Sequence, residues 1–106
     1  MVIYELKKYI SHPGKSDALR ERFMKVTLPI FKRLGMQVLV VVQFHDKAST
    51  LSYVLAFRDE DERTASWLAF GNDPEWQKAK SESETNGPLL AEQTSERIDW
   101  LLTQNT

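Results

Sequence analysis

Five consecutive apolar residues, Val38-Leu39-Val40-Val41-Val42, lie inside the segment Met36 to Phe44. Four of the five are β-branched, which suits a strand better than a surface helix. Alternation along a strand points Val38, Val40 and Val42 to one face and Leu39 and Val41 to the other. A strand apolar on both faces is covered on both faces. In so short a chain, one layer of helices covers one side, and a second copy of the chain is expected to cover the other.

The remaining elements follow from the same patterning. Residues 2–9 alternate as a strand, with Val2, Tyr4 and Leu6 on one face and Ile3, Glu5, Lys7 and Tyr9 on the other. His12-Pro13-Gly14-Lys15 breaks it. From Ser16, Leu19, Phe23, Val26, Ile30 and Leu34 recur at helical spacing, with Pro29 expected to kink or reset the helix and Gly35 to stop it. The apolar strand ends near Phe44, and His45 to Thr50 reads as a polar hairpin connection. Leu51 to Arg58 is a third strand, with Leu51, Tyr53, Leu55 and Phe57 on one face and Ser52, Val54 and Ala56 on the other. Asp59 and Glu62 have capping-box spacing and start a helix that stops at Gly71-Asn72. Asp73-Pro74 opens a short helix, Asn86-Gly87-Pro88 is a turn, and Gln93 to about Leu102 alternates as a last strand.

The order β-α-β-β-α-β is that of an α+β, ferredoxin-like subunit with a four-stranded antiparallel sheet. Its first and third strands lie centrally and the Val38–Val42 strand lies at an edge. A flat, apolar edge invites aggregation unless covered. Two such sheets pairing face to face as a dimeric α/β barrel would remove that hazard, with roughly 800 Å² buried per partner in an interface of standard size. Residues Val38, Leu39, Val40, Val41 and Val42 are the expected dimer contact.

Composition narrows the classes. The chain has 106 residues, which make one domain, 1–106, and a net charge of −1 with acids and bases interspersed. That balance argues against a nucleic-acid or anionic-membrane surface. Without cysteine there is no disulfide framework or thiolate chemistry. No apolar run approaches the ~20 residues of a membrane span, and no signal peptide is recognisable, so the default expectation is a cytoplasmic protein.

The candidate chemistry is sparse. On a central strand covered on both faces, Glu5 and Lys7 would point into the barrel between the sheets, where charges are costly unless paired or used. With Tyr9 they could form a polar pocket walled by Tyr53 and Phe57 from a parallel neighbouring strand. The alternative is that Glu5 and Lys7 form ion pairs across the dimer and fix its register. Trp67 and Trp76 could wall a cleft, although packing is the commoner role of aromatics at helical spacing. His12 and His45 lie in unrelated loops, too few for a metal site. His45 could still serve as a general base at the barrel mouth. No nucleophile elbow or phosphate loop occurs.

Two stretches carry a resemblance. Ile3-Tyr4-Glu5-Leu6-Lys7-Lys8-Tyr9 leads into His12-Pro13-Gly14-Lys15, and Phe57-Arg58-Asp59 runs to Arg63 and on to Asn72-Asp73-Pro74-Glu75-Trp76. In order and spacing these resemble the NIPSNAP family of small dimeric α/β-barrel proteins. The resemblance implies a ferredoxin-like subunit pairing through its sheet, and no assigned chemistry; suggested roles in eukaryotes concern trafficking and mitochondrial turnover. Related barrels include cofactor-free oxygenases, haem-binding proteins and small-molecule binders, so fold alone licenses little. Where the family tends to carry a His-x-Trp-x-Tyr row on the third strand this chain has Tyr53, Leu55 and Phe57, and it continues Val40-Val41-Val42 where a glycine is usual, implying a drier site. The leading expectation is a non-enzymatic homodimeric module that binds a partner protein or a small apolar or aromatic molecule, without a cofactor. The alternatives are a cofactor-independent oxygenase or isomerase, or a purely structural dimer.

Overall fold

A computed structural model describes residues 2–101 of the chain. The elements run β1 (Ile3–Ser11), α1 (Ser16–Arg22), a π-helical turn (Phe23–Thr27), α2 (Leu28–Arg33), β2 (Gln37–Phe44), β3 (Lys47–Phe57), α3 (Glu60–Gly71), α4 (Pro74–Ser83) and β4 (Leu90–Ile98). The four strands form one antiparallel sheet in the order β2-β3-β1-β4. All helices lie on one of its faces, giving the α+β, ferredoxin-like architecture. β1 and β3 are central and β2 is an edge, as the β-α-β-β-α-β order implied.

Directly opposed residues share a face, so the register defines two surfaces. Ile3, Glu5, Lys7 and Tyr9 oppose Phe57, Leu55, Tyr53 and Leu51 and look toward the helices. Tyr4, Leu6, Lys8 and Ile10 oppose Ala56, Val54, Ser52 and Thr50 and look away from them, on what is here called the open face. Because β1 and β3 are antiparallel, Tyr53 and Phe57 do not come from a parallel neighbour as expected.

The first helical segment departs from a regular helix for a stated reason. Pro29 has no N–H to give the carbonyl four residues back, and its ring crowds that turn. The wide turn just before it absorbs the conflict, with the Leu28 N–H bonding to the Phe23 carbonyl. One extra residue in the turn rotates everything after it. Leu19, Phe23 and Ile30 are buried as the spacing predicted, but Thr27 and Phe31 join them, while Val26 and Leu34 are only half-buried. Phe31 and Phe23 meet Tyr53 with ring centroids 5.8 and 4.6 Å apart, and this aromatic cluster is the centre of the core.

A bulge in β2 changes the reading of the apolar run. Val38 opposes Leu55, but the next pairs are Val40 with Val54, Val41 with Tyr53 and Val42 with Ser52. Leu39 is the extra residue, which reverses the alternation beyond it. Val38 and Val41 therefore share the helix face, while Val40 and Val42 share the open face. Strict alternation had put Val38 with Val40 and Val41 with Leu39.

Both later helices start as their caps predict. The Asp59 carboxylate accepts the Glu62 N–H at 2.8 Å, and the Glu62 carboxylate accepts the Arg58 N–H at 3.1 Å. Asp73 accepts the Trp76 N–H at 3.0 Å, ahead of Pro74. The hairpin is tighter than expected, since β3 begins at Lys47 and only His45-Asp46 form the turn. The last strand begins and ends earlier than its alternation suggested. Trp100 lies beyond it, packed edge-on against Tyr4 at 5.8 Å, and Leu102 lies outside the described residues.

Candidate functional site

The helices cover β2, β3 and β1 but leave β4 bare. On the helix side of β4, Gln93, Ser95 and Arg97 oppose Tyr9, Lys7 and Glu5, and all three β4 residues are exposed. A groove of about 440 Å³ opens there between β4 and α3, lined by Ile3, Tyr4, Glu5, Glu60, Arg63, Ser95 and Arg97.

Glu5 anchors it. The carboxylate is nearly fully buried, at 2 % exposure, so it needs compensation. Arg63 of α3 supplies two bonds, Nε to Oε1 at 3.2 Å and Nη2 to Oε2 at 3.0 Å. The Trp67 indole N–H donates to Oε1 at 2.7 Å, and the Ser95 hydroxyl donates to Oε2. Burial alone would raise the Glu5 pKa. The hydrogen bonds from Arg63, Ser95 and Trp67, with the charge of Arg63, outweigh it and hold the group below its ordinary value of 4.5. Arg63 also meets Glu60 at 3.0 Å, and Glu60 meets Arg97 at 3.2 Å, so the ion-pair network runs from β1 across α3 to β4.

Lys7 stands two register pairs along, opposite Ser95, with its ammonium 4.9 Å from the centroid of the Trp67 ring. Burial lowers its pKa; Glu5 pulls it back up and Arg63 pushes it down further. Among the described residues it makes no hydrogen bond or ion pair.

The predicted site residues are therefore distributed differently from the expected pocket. Glu5, Lys7 and Tyr9 face the helices of their own subunit and not the space between two sheets. Glu5 takes its cation from Arg63 of the same chain, which replaces the expected pairing with Lys7 or across a dimer. Tyr9 and Tyr53 are in the core, their hydroxyls 2.5 Å apart, and burial raises both pKa values, that of Tyr53 well above 10.0. Phe57 is 1 % exposed, so the Tyr53, Leu55 and Phe57 row is solid core and walls no open pocket. Trp67 and Trp76 are joined through Phe70, with centroids at 6.0 and 4.7 Å, and Arg22 caps Trp76 at 5.1 Å. Trp76 is thus packing, while Trp67 has a second role on Glu5. His45 stands in solvent at the hairpin tip, 3.9 Å from the Asp46 carboxylate, apart from Glu5 and Lys7. No group of three or more potential metal ligands converges among the described residues.

Arg63, Ser95 and Arg97 are the groove-lining side chains that patterning missed. Their signal was available in part: Arg63 and Trp67 are four apart and share a face of α3, aimed at whatever the sheet presents. That this is Glu5 depends on contacts 58 and 62 residues apart in sequence.

The open face is the second notable surface. Val40, Val42 and Phe44 are 40–45 % exposed, and a depression of about 340 Å³ runs across the sheet between Leu6, Lys8, Val42, Phe44, Ser52, Thr94 and Glu96. Among the described residues no helix is long and apolar enough to cross a membrane.

The NIPSNAP family model matches residues 4–99. Among solved structures, an uncharacterised NIPSNAP-like domain protein from Burkholderia xenovorans superposes with a TM-score of 0.80 at 14% identity, over 97% of this chain and 89% of its own. A NIPSNAP family protein from Agrobacterium tumefaciens gives 0.79 at 13% identity, over 99% and 95%. A putative antibiotic biosynthesis monooxygenase from Bacteriodes thetaiotaomicron gives 0.68 at 16%, over 95% and 90%. These likenesses establish the fold. No curated protein matches the sequence.

Proposed function

The chain belongs to the NIPSNAP family, and from that premise we propose that it works as a non-enzymatic homodimeric module, pairing through the open sheet face and binding a small molecule in the groove between α3 and β4. The pairing reading rests on the exposed row of Val40, Val42 and Phe44, on a face that no helix covers among the described residues. An interface about a two-fold axis must be self-complementary. The open face offers an apolar centre of Leu6, Val40, Val42 and Phe44, with Lys8 on β1 and Glu92 and Glu96 on β4 to pair between copies.

The non-enzymatic reading rests on Glu5. A general base needs a free lone pair within reach of a substrate proton. Both Glu5 oxygens are occupied by Arg63, Trp67 and Ser95, and the carboxylate is held in its ionised form. Tyr9 and Tyr53, the next acid–base candidates, are sealed in the core. Glu5 is best understood as a pillar that fixes α3 against the sheet and keeps the groove open.

Sedimentation equilibrium on the full chain tests the pairing, with a dimer in the micromolar range as the expected result. A monomer at all concentrations would overturn it. For binding, neutral and charged small-molecule panels should shift amide resonances of β4 and α3, and silence across both panels would remove the groove from consideration.

A further inference from the structure

The row of β3 that looks away from the helices is Thr50, Ser52, Val54 and Ala56, all short side chains. Its neighbours on that face are taller, Leu6 and Lys8 on β1 and Val42 and Phe44 on β2. The difference in height makes the depression of about 340 Å³, with Ser52 on its floor. Sheets packed face to face lie about 10 Å apart, a space that full-sized side chains fill at native density. A row this short leaves part of that space open.

Ser52 is 6 % exposed, and its hydroxyl makes no hydrogen bond among the described residues. A hydroxyl offers one donor and two acceptor positions. Water serves them in a single subunit. A second sheet laid over this face excludes solvent, and an unpaired hydroxyl there is costly. The charges around the depression cancel, since Lys8 and Glu96 bring one of each sign. The Lys8 ammonium already lies 5.8 Å from the centroid of the Phe44 ring. The depression therefore calls for a neutral partner with one hydrogen-bonding group.

Resting on the pairing half of the reading above, we propose that this depression, closed by the facing sheet of a second copy, binds a small uncharged molecule with an apolar body and one hydroxyl or carbonyl directed at Ser52. Leu6, Val42 and Phe44 wall the apolar body. The volume lies at the lower end of small-molecule sites. One subunit leaves the depression open to solvent, so the site is incomplete without its partner. It lies on the opposite face of the sheet from the groove between α3 and β4.

The probes are p-cresol, toluene, which lacks the hydroxyl, and 4-methylbenzoate, which replaces it with a charge. Each is titrated into the isotope-labelled full chain and followed by amide shifts. Binding of p-cresol should move Leu6, Val42, Ser52 and Thr94 and leave Glu60 and Arg63 of the groove in place. Toluene and 4-methylbenzoate should bind roughly tenfold more weakly, or worse. Ser52→Ala should bring p-cresol down to the affinity of toluene and leave toluene unchanged. Equal binding of p-cresol and toluene, tighter binding of 4-methylbenzoate, or no effect of Ser52→Ala would each overturn the proposal. A ligand that binds only the closed dimer also stabilises it, so saturating p-cresol should lower the dimer dissociation constant at least tenfold in sedimentation equilibrium. A dimer that ignores p-cresol overturns the chamber and leaves the pairing standing. A monomer that binds p-cresol through Ser52 overturns the pairing and the need for a second copy, and a monomer that ignores it overturns both.

Discussion

Arg63 and Glu5 meet through two nearly parallel bonds, Nε to Oε1 at 3.2 Å and Nη2 to Oε2 at 3.0 Å, joining helix α3 to the central strand β1. The pair is asymmetric in burial: the Glu5 side chain is 3 % exposed and that of Arg63 is 32 % exposed. Removing the cation therefore costs more than neutralising the anion. Arg63→Ala would leave a buried carboxylate with only neutral donors and should destabilise the fold by on the order of 3 kcal/mol. Glu5→Gln keeps a polar side chain among the same groups and should cost about 1–2 kcal/mol. Urea denaturation of the two variants gives the comparison, and a larger loss in Glu5→Gln would contradict this ordering.

The same pair predicts an acid limb. The folded-state pKa of Glu5 lies below its ordinary 4.5, so the unfolded chain takes up the proton first as pH falls. The stability Glu5 contributes is complete above the unfolded value and is lost as pH drops through the folded one. The gap in unfolding free energy between wild type and Glu5→Gln should be constant above about pH 5.5 and narrow steadily below about pH 4.5. A gap that widens on acidification would mean that the carboxylate is protonated in the native protein. Dimer dissociation should be equal in the two proteins, since Glu5 points to the helices of its own subunit.

A second pair sits deeper. The hydroxyls of Tyr9 and Tyr53 are 2.5 Å apart, each serving as the other's partner inside the Phe23 and Phe31 cluster. Tyr53→Phe leaves the Tyr9 hydroxyl buried and unsatisfied and should cost about 1–3 kcal/mol. Adding Tyr9→Phe removes the orphan, so the double variant should be close to wild type. The sum of the single losses exceeding that of the double variant is the expected signature of direct coupling. Simple additivity would show that the two hydroxyls do not depend on each other.

These pairs mark the limit of what patterning could deliver. Strand and helix order, the edge position of β2 and the caps at Asp59 and Asp73 are local features, written in alternation, spacing and turn chemistry. Two local irregularities were not legible, because each inserts one residue without changing composition. The bulge at Leu39 exchanges the faces of Val40 and Val41, and the wide turn before Pro29 brings Phe31 into the core in place of a simple continuation. The site was legible only as far as its β1 residues. Glu5 and Lys7 were identified as charges on a buried face, but which face the helices would cover depends on the packing of the whole chain. The partners of Glu5 come from α3 and β4, and nothing local to residues 3–9 specifies them.

The bulge itself yields the most discriminating test of association. Val40 opposes Val54 on the open face and is 40 % exposed, whereas the adjacent Val41 opposes Tyr53 on the helix face and is half-buried. Val40→Asp places its charge on the surface of the isolated subunit, where substitutions usually change stability by less than about 0.5 kcal/mol. In a face-to-face dimer the same charge would be buried without a partner, which costs far more. Val40→Asp should therefore give monomer or aggregate with a subunit circular dichroism spectrum like that of wild type. Val41→Asp should instead lower the subunit's own stability, because its carboxylate is driven toward the Phe31 and Tyr53 cluster. Light scattering on both variants at matched concentration, alongside thermal unfolding, separates the two effects. A Val40→Asp dimer that dissociates on dilution as wild type does would show that the open face is not where the copies meet. Identical behaviour of the two variants would show that the β2 bulge does not separate the faces as described.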